Sequence, residues 1–401
     1  MKQGIQTALI LAGGDGDRFA PLEQKVRYRF NGKTVLQHIV EAVAEYAKQV
    51  VVVTNEINMG LIKSDLGTDA IEYVVQTKDD GGMADAVLAA EKYINGDVII
   101  FNGNDLLDFS LIPSLVEQTK KEGTLLGLVA KHETRYLPTG YVRFVDDKAV
   151  EIVEKPSREN VPSEYVRLVV DYFPTGTSFL TELKKLPSSD DQYEKAMSAL
   201  MKQKPATCLK YTGDWSTLKY SWHVLAMQEY VFEHTTGKKS EDLSIHPSSI
   251  IEGNVSIGKN VYIGAFVKIM GPCFIGDNVI IGDHSLVRGS TICDNVIVGS
   301  GCEVARSYLG MGVMLHRNYV GDSVLGPEVT MGAGAVTANF RFDKKTVRTP
   351  IKGTLVDSGN IKFGLIAGAR TRIGVNTTTY PGVKLAPDTV VLPGEVITKD
   401  K

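Results

Sequence analysis

The sequence has little that would take it out of aqueous solution or bind it to a polyanion. Its 401 residues carry 44 Lys+Arg against 47 Asp+Glu, a formal net charge of −3. Charge alone therefore nominates neither nucleic acid nor an anionic membrane surface as a partner. No apolar run approaches the ~20 residues needed to cross a bilayer. The N-terminal "TALILA" is too short for a signal-peptide core and runs straight into glycines, with no cleavage site of small residues. Four cysteines occur, Cys208, Cys273, Cys293 and Cys302, widely spaced and without a C-x-x-C pair. That argues against both a disulfide framework and a structural zinc site, and suits a reducing compartment. His38, His132, His223, His234, His246 and His284 show no ligand spacing. These absences predict a soluble cytoplasmic protein, and the length predicts two domains.

What is present falls into two grammars. Up to residue 230 the apolar runs "TALILA", "VVVVTN", "IEYVV", "DVIIFNGND" and "TLLGLVA" alternate with the helical patterns "VLQHIVEAVAEYA", "MADAVLAAEKYI" and "LIPSLVEQTKKE". Alternation of this kind predicts a doubly wound, Rossmann-like α/β domain over 1–230, with buried parallel strands and ligands at their C-terminal ends. A helical connector and polar linker occupy 231–246. From 247 to 401 the sequence places an aliphatic residue before glycine at short intervals, with Ile257, Ile263, Ile275, Ile281 and Val298 at the aliphatic position. A six-residue period does not fit 3.6 residues per turn. It predicts strands stacked as coils of a parallel β-solenoid, each coil burying its apolar side against its neighbours.

Gly13, Gly14 and Gly16 follow the first strand, where bare backbone N–H groups suit an anion and Arg18 adds a charge-assisted contact. The spacing is neither a Walker A loop nor a good G-x-G-x-x-G, and a plain strand-to-helix turn is the simpler account of an isolated glycine pair. The stretch "LAGGDGDRFAPL", however, resembles the signature loop of sugar-nucleotide pyrophosphorylases, which join a sugar phosphate to a nucleoside triphosphate. Further landmarks of that family follow in order. "QTKDDGGMADAV" is similar to its base-reading segment, "FNGND" to the strand end bearing its magnesium ligand, and "TGYVRF" with "IVEKP" to its sugar-binding segments. The resemblance implies that Leu11, Ala12, Gly13, Gly14, Gln76 and Gly82 hold the nucleotide, with Gln76 and Gly82 on a pyrimidine. It implies that Asp105 holds Mg²⁺, that Gly140, Glu154 and Lys155 hold the sugar phosphate, and that Arg18 and Lys25 are catalytic. Three departures stand out. The Pro-Lys pair of the loop is missing from "PLEQKVRYRFNGK", so that Arg27 competes with Lys25 for the lysine position. Met83 replaces a usual threonine, and Thr217 stands where a second metal-binding carboxylate is expected, with Asp214 three residues earlier.

The repeat resembles the left-handed parallel β-helix of hexapeptide acyltransferases. "MLHRNYVGDSV" and "GAGAVTANFRFDKKTVRTPIKG" are similar to the acetyltransferase half of the archaeal-type bifunctional enzymes of UDP-N-acetylglucosamine synthesis. That likeness implies acetyl-CoA and UTP as co-substrates and a homotrimer. It makes His316 the base that deprotonates the acceptor amine and Asn339 the group that orients sugar or thioester. Arg288, Arg306, Tyr319 and Lys345 become the sugar-phosphate site, while Arg348 reads equally as a solvated surface charge. Two other readings remain open from the residues: a nucleotidyltransferase of different specificity, such as dTTP with glucose-1-phosphate, on an inert solenoid, and a non-catalytic sugar-nucleotide-binding subunit. Small-molecule substrates, with no nucleic acid or membrane, are common to the enzyme readings.

Overall fold

A computed structural model describes residues 4–14, 16–67, 70–76 and 82–401. The chain folds into two compact units, one of 1–15 and 35–215, the other of 16–34 and 216–401. Asp15 and residues 77–81, the middle of the base-reading segment, lie outside the described residues.

The first unit is built on a nine-stranded sheet. Its strands are β1 (Ile5–Leu11), β2 (Ala47–Thr54), β3 (Ile71–Val75), β4 (Val98–Asn102), β5 (Gly127–His132), β6 (Gly140–Val145), β7 (Lys148–Glu154), β8 (Tyr165–Phe173) and β9 (Thr207–Tyr211). β1 lies between β2 and β4, and β3 lies beyond β2, all four parallel. The order 3-2-1-4 puts a switch point between β1 and β4, the place where an open α/β sheet takes a ligand. The all-parallel sheet expected from sequence stops there. β8 runs antiparallel to β4, β5 and β6. β6 and β7 form a hairpin whose turn residues Asp146 and Asp147 both have positive φ, 48° and 60°, as a two-residue turn matched to strand twist requires. The run "IEYVV", expected to be buried, forms β3 at the sheet edge, where Val75 is 39 % exposed because no neighbouring strand covers it. Leu9, Val51, Val53, Val98 and Ile100 share a core with Phe173, Phe179 and Met197.

The second unit is a three-sided parallel β-helix with sheets of eight, eight and seven strands. Ile263 stacks on Ile281, then Val298, Leu315 and Met331, each on a parallel strand. The aliphatic positions read from the repeat, Ile257, Ile263, Ile275, Ile281 and Val298, all sit in one buried core. The coil between Met331 and Ile373 extrudes a long excursion that includes the hairpin Arg348–Ile351 with Thr354–Asp357.

This unit begins earlier than residue 230 because the helix His223–Glu233 packs on the β-helix. Gln228 donates to Gly289 O and accepts from Thr291 N, 3.0 Å each. It also takes in 16–34, whose Phe19, Tyr28 and Phe30 are buried. One face of the prism is covered in this way. Its outward residues Thr291, Tyr308, Val324 and Ile366 are buried although the core side belongs to Ile292, Leu309 and Leu325.

Ile281 is fully buried between Ile263 and Val298 of the neighbouring coils, so Ile281→Ala should cost about 2–5 kcal/mol. Equilibrium unfolding in urea will show it as a lower midpoint at unchanged slope.

Candidate active sites

In the first unit the glycine turn is clamped by three neighbouring strand ends. Asn55, just past β2, caps the helix Glu56–Leu66 by accepting from Asn58 N. Its Nδ2 also donates to Gly13 O, at 3.3 Å. Gln76, just past β3, donates from Nε2 to the same carbonyl at 3.2 Å. Gly103, past β4, donates its N–H to Leu11 O at 2.8 Å, and a Cβ there would lie 2.8 Å from that oxygen and 3.1 Å from Ala12 Cβ. Glycine at 103 is therefore a steric requirement. Leu11, Ala12 and Gly13 are buried while Gly14 is exposed, so the turn presents backbone at its tip. Asp105 is buried two residues beyond Gly103, on the strand Asp105–Leu107. Gly82, φ 65°, heads the helix Gly82–Ala89.

The sugar-segment residues meet on the β6–β7 hairpin. Gly140 and Glu154 face each other in register, and a Cβ on Gly140 would lie 2.9 Å from Glu154 Oε2. Lys155 Nζ stands 3.5 Å from Glu154 Oε1 and 2.7 Å from Asp190 Oδ2, on a backbone held at φ 44°. Behind them lies a group that sequence reasoning missed. Arg167, buried on β8, pairs through Nη1 with Asp171 and through Nη2 with Glu194, 2.9 Å each. Tyr193 adds a hydroxyl bond to Asp171 at 3.0 Å, and its ring lies 5.2 Å from the guanidinium carbon. Met83, the unusual residue of the base segment, contributes its sulfur at 4.0 Å from Nη2. The available signal was the pair Arg167 and Asp171 interrupting an otherwise apolar "YVRLVVDYF". A separate cavity of about 320 Å³, lined by Arg135, Tyr136, Tyr141 and Arg158 among others, contains none of the predicted site residues.

In the second unit Arg18 is exposed on the short turn Asp17–Phe19, and Lys25 opens the turn Lys25–Arg27. Gly16 takes φ 74°, the left-handed region that favours glycine, and the Lys25 stem runs beside it, its Cδ 3.9 Å from a Cβ built there. Arg27, the competitor for the lysine role, donates to Gln24 Oε1 at 2.6 Å. Thr217 accepts at its carbonyl from His223 Nδ1, at 2.8 Å.

The β-helix gathers a polar cluster around Asp322, a second residue that sequence reasoning missed. Arg306 clasps Asp322 through Nε and Nη2, at 2.6 and 2.7 Å. Asn339 Nδ2 donates to Asp322 Oδ2 and, at 3.1 Å, to Tyr319 Oη. Arg288 binds Glu303 at 2.6 Å, and Glu303 is the register partner of Tyr319. His316 lies at the corner before Tyr319, exposed, in a turn braced by a 2.7 Å bond from its N–H to buried Asn318. Tyr319, Asn339, Arg306 and Arg288 are thus brought into one neighbourhood. Lys345 is exposed, its backbone N–H donating to Asp343 at 3.2 Å, on the excursion that also carries Arg348.

A glycine turn at an α/β switch point, and a hexapeptide solenoid with a polar cluster at one corner, define a group-transfer enzyme with two separate sites. The nucleotidyl transferase family model matches residues 7–218, and the chain belongs to that family. A second model, for the GMPPB C-terminal domain, matches 238–354. A protein of Methanococcus vannielii named "Bifunctional protein GlmU" is 28 % identical over 411 residues, covering 98 % of this chain and 95 % of its own. A "Bifunctional sugar-1-phosphate nucleotidylyltransferase/acetyltransferase" of Sulfurisphaera tokodaii is 28 % identical over 410 residues, with 98 % and 97 % covered. Among solved structures, one from Bacillus anthracis assigned as a glucose-1-phosphate thymidylyltransferase superposes with a TM-score of 0.52 at 19 % identity. It covers 58 % of this chain and 98 % of its own, which bears on the fold.

The cluster at Arg167 is a pH-sensitive element, since one buried guanidinium cannot offset two buried carboxylates. Burial pushes Asp171 up to about 6 and Glu194 up to about 7. Both values lie above those of the unfolded chain, so the folded state binds protons that the unfolded state releases. The stabilisation is complete below about pH 4 and is lost as pH rises through 6 to 7. Between pH 5 and 8, Glu194→Gln should remove on the order of 1–3 kcal/mol of this pH dependence, read from urea unfolding at each pH.

Proposed function

We propose that the protein is a bifunctional enzyme of UDP-N-acetylglucosamine synthesis. It acetylates glucosamine-1-phosphate with acetyl-CoA and then transfers UMP from UTP to N-acetylglucosamine-1-phosphate, releasing pyrophosphate. The reading is carried by relatives named for two activities that align with 98 % of the chain, and by a distinct polar site in each compact unit. The cytoplasm, which supplies UTP and acetyl-CoA, is its compartment.

For nucleotidyl transfer, the Gly13–Gly14 turn and Gln76 take the nucleotide, and Gly140, Glu154 and Lys155 take the sugar phosphate. A phosphate oxygen of the sugar bonds to the α-phosphorus as the bond to the β-phosphate oxygen breaks, and Arg18 and Lys25 counter the charge on the phosphates. Asp105, a hard oxygen donor buried near the switch point, fits Mg²⁺, while Thr217 brings no second carboxylate. When bound, Mg²⁺ supplies further charge neutralisation. For acetyl transfer, His316 takes the proton from the sugar amine as the nitrogen attacks the thioester carbonyl and the thiolate leaves. Asn339, fixed by Asp322 and Tyr319, orients the acceptor, and Arg288, Arg306 and Lys345 meet its phosphate.

A homotrimer fits the two uncovered faces of the β-helix. One bears the outward row Tyr262, Ile280, Ile297 and Met314, with Tyr262, Ile280 and Met314 exposed, while the other mixes exposed Ile250, Val336 and Val396 with Lys268, Glu303 and Thr378 along its outward row. An exposed apolar row of the first kind marks an interface. A second reading, a nucleotidyltransferase on a solenoid without acetyl chemistry, is favoured by the C-terminal match to the GMPPB domain model and by the engagement of Arg306 with Asp322.

With Mg²⁺, UTP and N-acetylglucosamine-1-phosphate the protein should release pyrophosphate, and Asp105→Ala should lower the rate by ~100-fold or more while acetyl transfer persists. His316→Ala should do the reverse. Acetyl transfer that is absent from the intact chain would select the second reading. Ile280→Lys with Met314→Lys should convert the trimer to monomers in sedimentation velocity.

A further inference from the structure

The covered face of the β-helix carries an arrangement that the two-site reading leaves unused. Tyr308 stands on the strand Tyr308–Leu309, with Leu309 turned into the core and the tyrosine ring turned outward. It is nevertheless only 4 % exposed, because the segment 16–34 closes over it. Tyr28 and Phe30 pack their rings 5.4 and 5.6 Å from it, and Phe19 meets Tyr28 edge-on at 5.2 Å. The hydroxyl is fixed as well as the ring: it accepts from Arg29 N at 3.4 Å and from Cys293 Sγ at 3.3 Å. Gly32 lies on Phe274, two coils away, where a Cβ would sit 3.6 Å from the ring. At the other end of the segment Asp17, the residue before Arg18, pairs with Lys352 of the excursion hairpin at 2.7 Å.

Three aromatic side chains and one ion pair therefore fasten to the solenoid the stretch of chain that bears Arg18 and Lys25. Both cations lie within a few residues of an anchor, Arg18 between Asp17 and Phe19, Lys25 three residues before Tyr28. The stretch itself is two short turns followed by a small hairpin of Arg29–Phe30 with Lys33–Thr34. Aromatic pairs of this geometry are worth roughly 0.5–1.5 kcal/mol each beyond the area they bury, and the ordering entropy of a loop is the cost they offset.

We propose that Tyr308 is a positioning residue for nucleotidyl transfer: from within the β-helix it fixes the segment that presents Arg18 and Lys25, so that the solenoid is a working part of the first activity. The proposal rests on the assignment of Arg18 and Lys25 to the triphosphate. It gives the solenoid two duties on different faces, with the acetyl-transfer cluster at Asp322 and the anchor at Tyr308.

The test uses the full chain and the variants Tyr308→Ala, Tyr308→Phe and Lys352→Ala, with Arg18→Ala and Lys25→Ala as controls for the assignment. Two readouts are taken: pyrophosphate release with UTP and N-acetylglucosamine-1-phosphate, and the rate of tryptic cleavage after Lys25, Arg27 and Arg29. Tyr308→Ala should speed cleavage at these sites at least tenfold and lower kcat at least tenfold, with acetyl transfer within twofold of wild type. Tyr308→Phe, keeping the ring, should restore most of both, and Lys352→Ala should have a smaller effect in the same direction. Should Tyr308→Ala not fold, Tyr28→Leu removes the partner ring and leaves the solenoid intact, with the same expectations. Faster cleavage without loss of transfer overturns the proposal, and so does unchanged cleavage. Full turnover by Arg18→Ala and Lys25→Ala overturns the assignment beneath it, an outcome distinct from either.

Discussion

Parallel stacking in register is the constraint on which most of this molecule depends. A coil of the β-helix buries its aliphatic residues only against the coils above and below it. The ladder from Ile263 through Ile281, Val298 and Leu315 must therefore stay in phase along the whole prism. Keeping that phase fixes which residues face outward, and so gives the prism three faces of different character. One is roofed by the chain's own helix His223–Glu233 and segment 16–34. The other two are open, one apolar along Tyr262, Ile280 and Met314, the other mixed, with Lys268 and Glu303 among its outward residues. The polar cluster at Asp322 sits where the chain turns a corner, the one place at which a coil is free to vary.

Electrostatics in the first unit follow a different logic. At the glycine turn, the Gly13 carbonyl and the carboxamides of Asn55 and Gln76 hold one another without net charge, and Gly14 stands exposed at the tip. Behind the sugar segment the reverse holds. Arg167 is shared by two buried carboxylates, so the cluster retains a proton at pH values where each acid alone would be ionised. These buried charges lie beneath Gly140 and Glu154, and Met83 brings the helix Gly82–Ala89 against them.

Much of this was legible in the residues, for reasons specific to each element. The six-residue period reads directly as inward-facing aliphatics, because a solenoid has one repeating environment, and every position named from it is in the core. β1, β2 and β4 read as buried strands because both sheet faces cover them. β3 read the same way and is an edge, since composition reports apolarity and not the number of neighbouring strands. The mixed half of the sheet was hidden because hairpins such as Gly140–Glu154 depend on turn residues, here Asp146 and Asp147, rather than on a helical crossover. At the candidate sites, the motif residues at strand ends and corners were legible from their spacing. Their buried supports, Asn55, Arg167, Asp322 and Tyr308, were not, because a lone polar or aromatic residue belongs to no motif and shows its partners only in the folded chain.

The excursion between Met331 and Ile373 leaves the stack at a corner and returns to it with Thr337 over Thr379 and Leu325 over Ala367, so the ladder is blind to what was inserted. A corner of this kind is a socket. The exposed stretches of the excursion, residues 342–345 and 352–355, can be lengthened, shortened or exchanged by evolution or by an engineer without re-solving the packing problem of the solenoid, whereas Val347, Thr349, Phe363 and Leu365 are buried and tie the excursion back to it. Variation can then accumulate at the rim of a scaffold whose folding it does not tax.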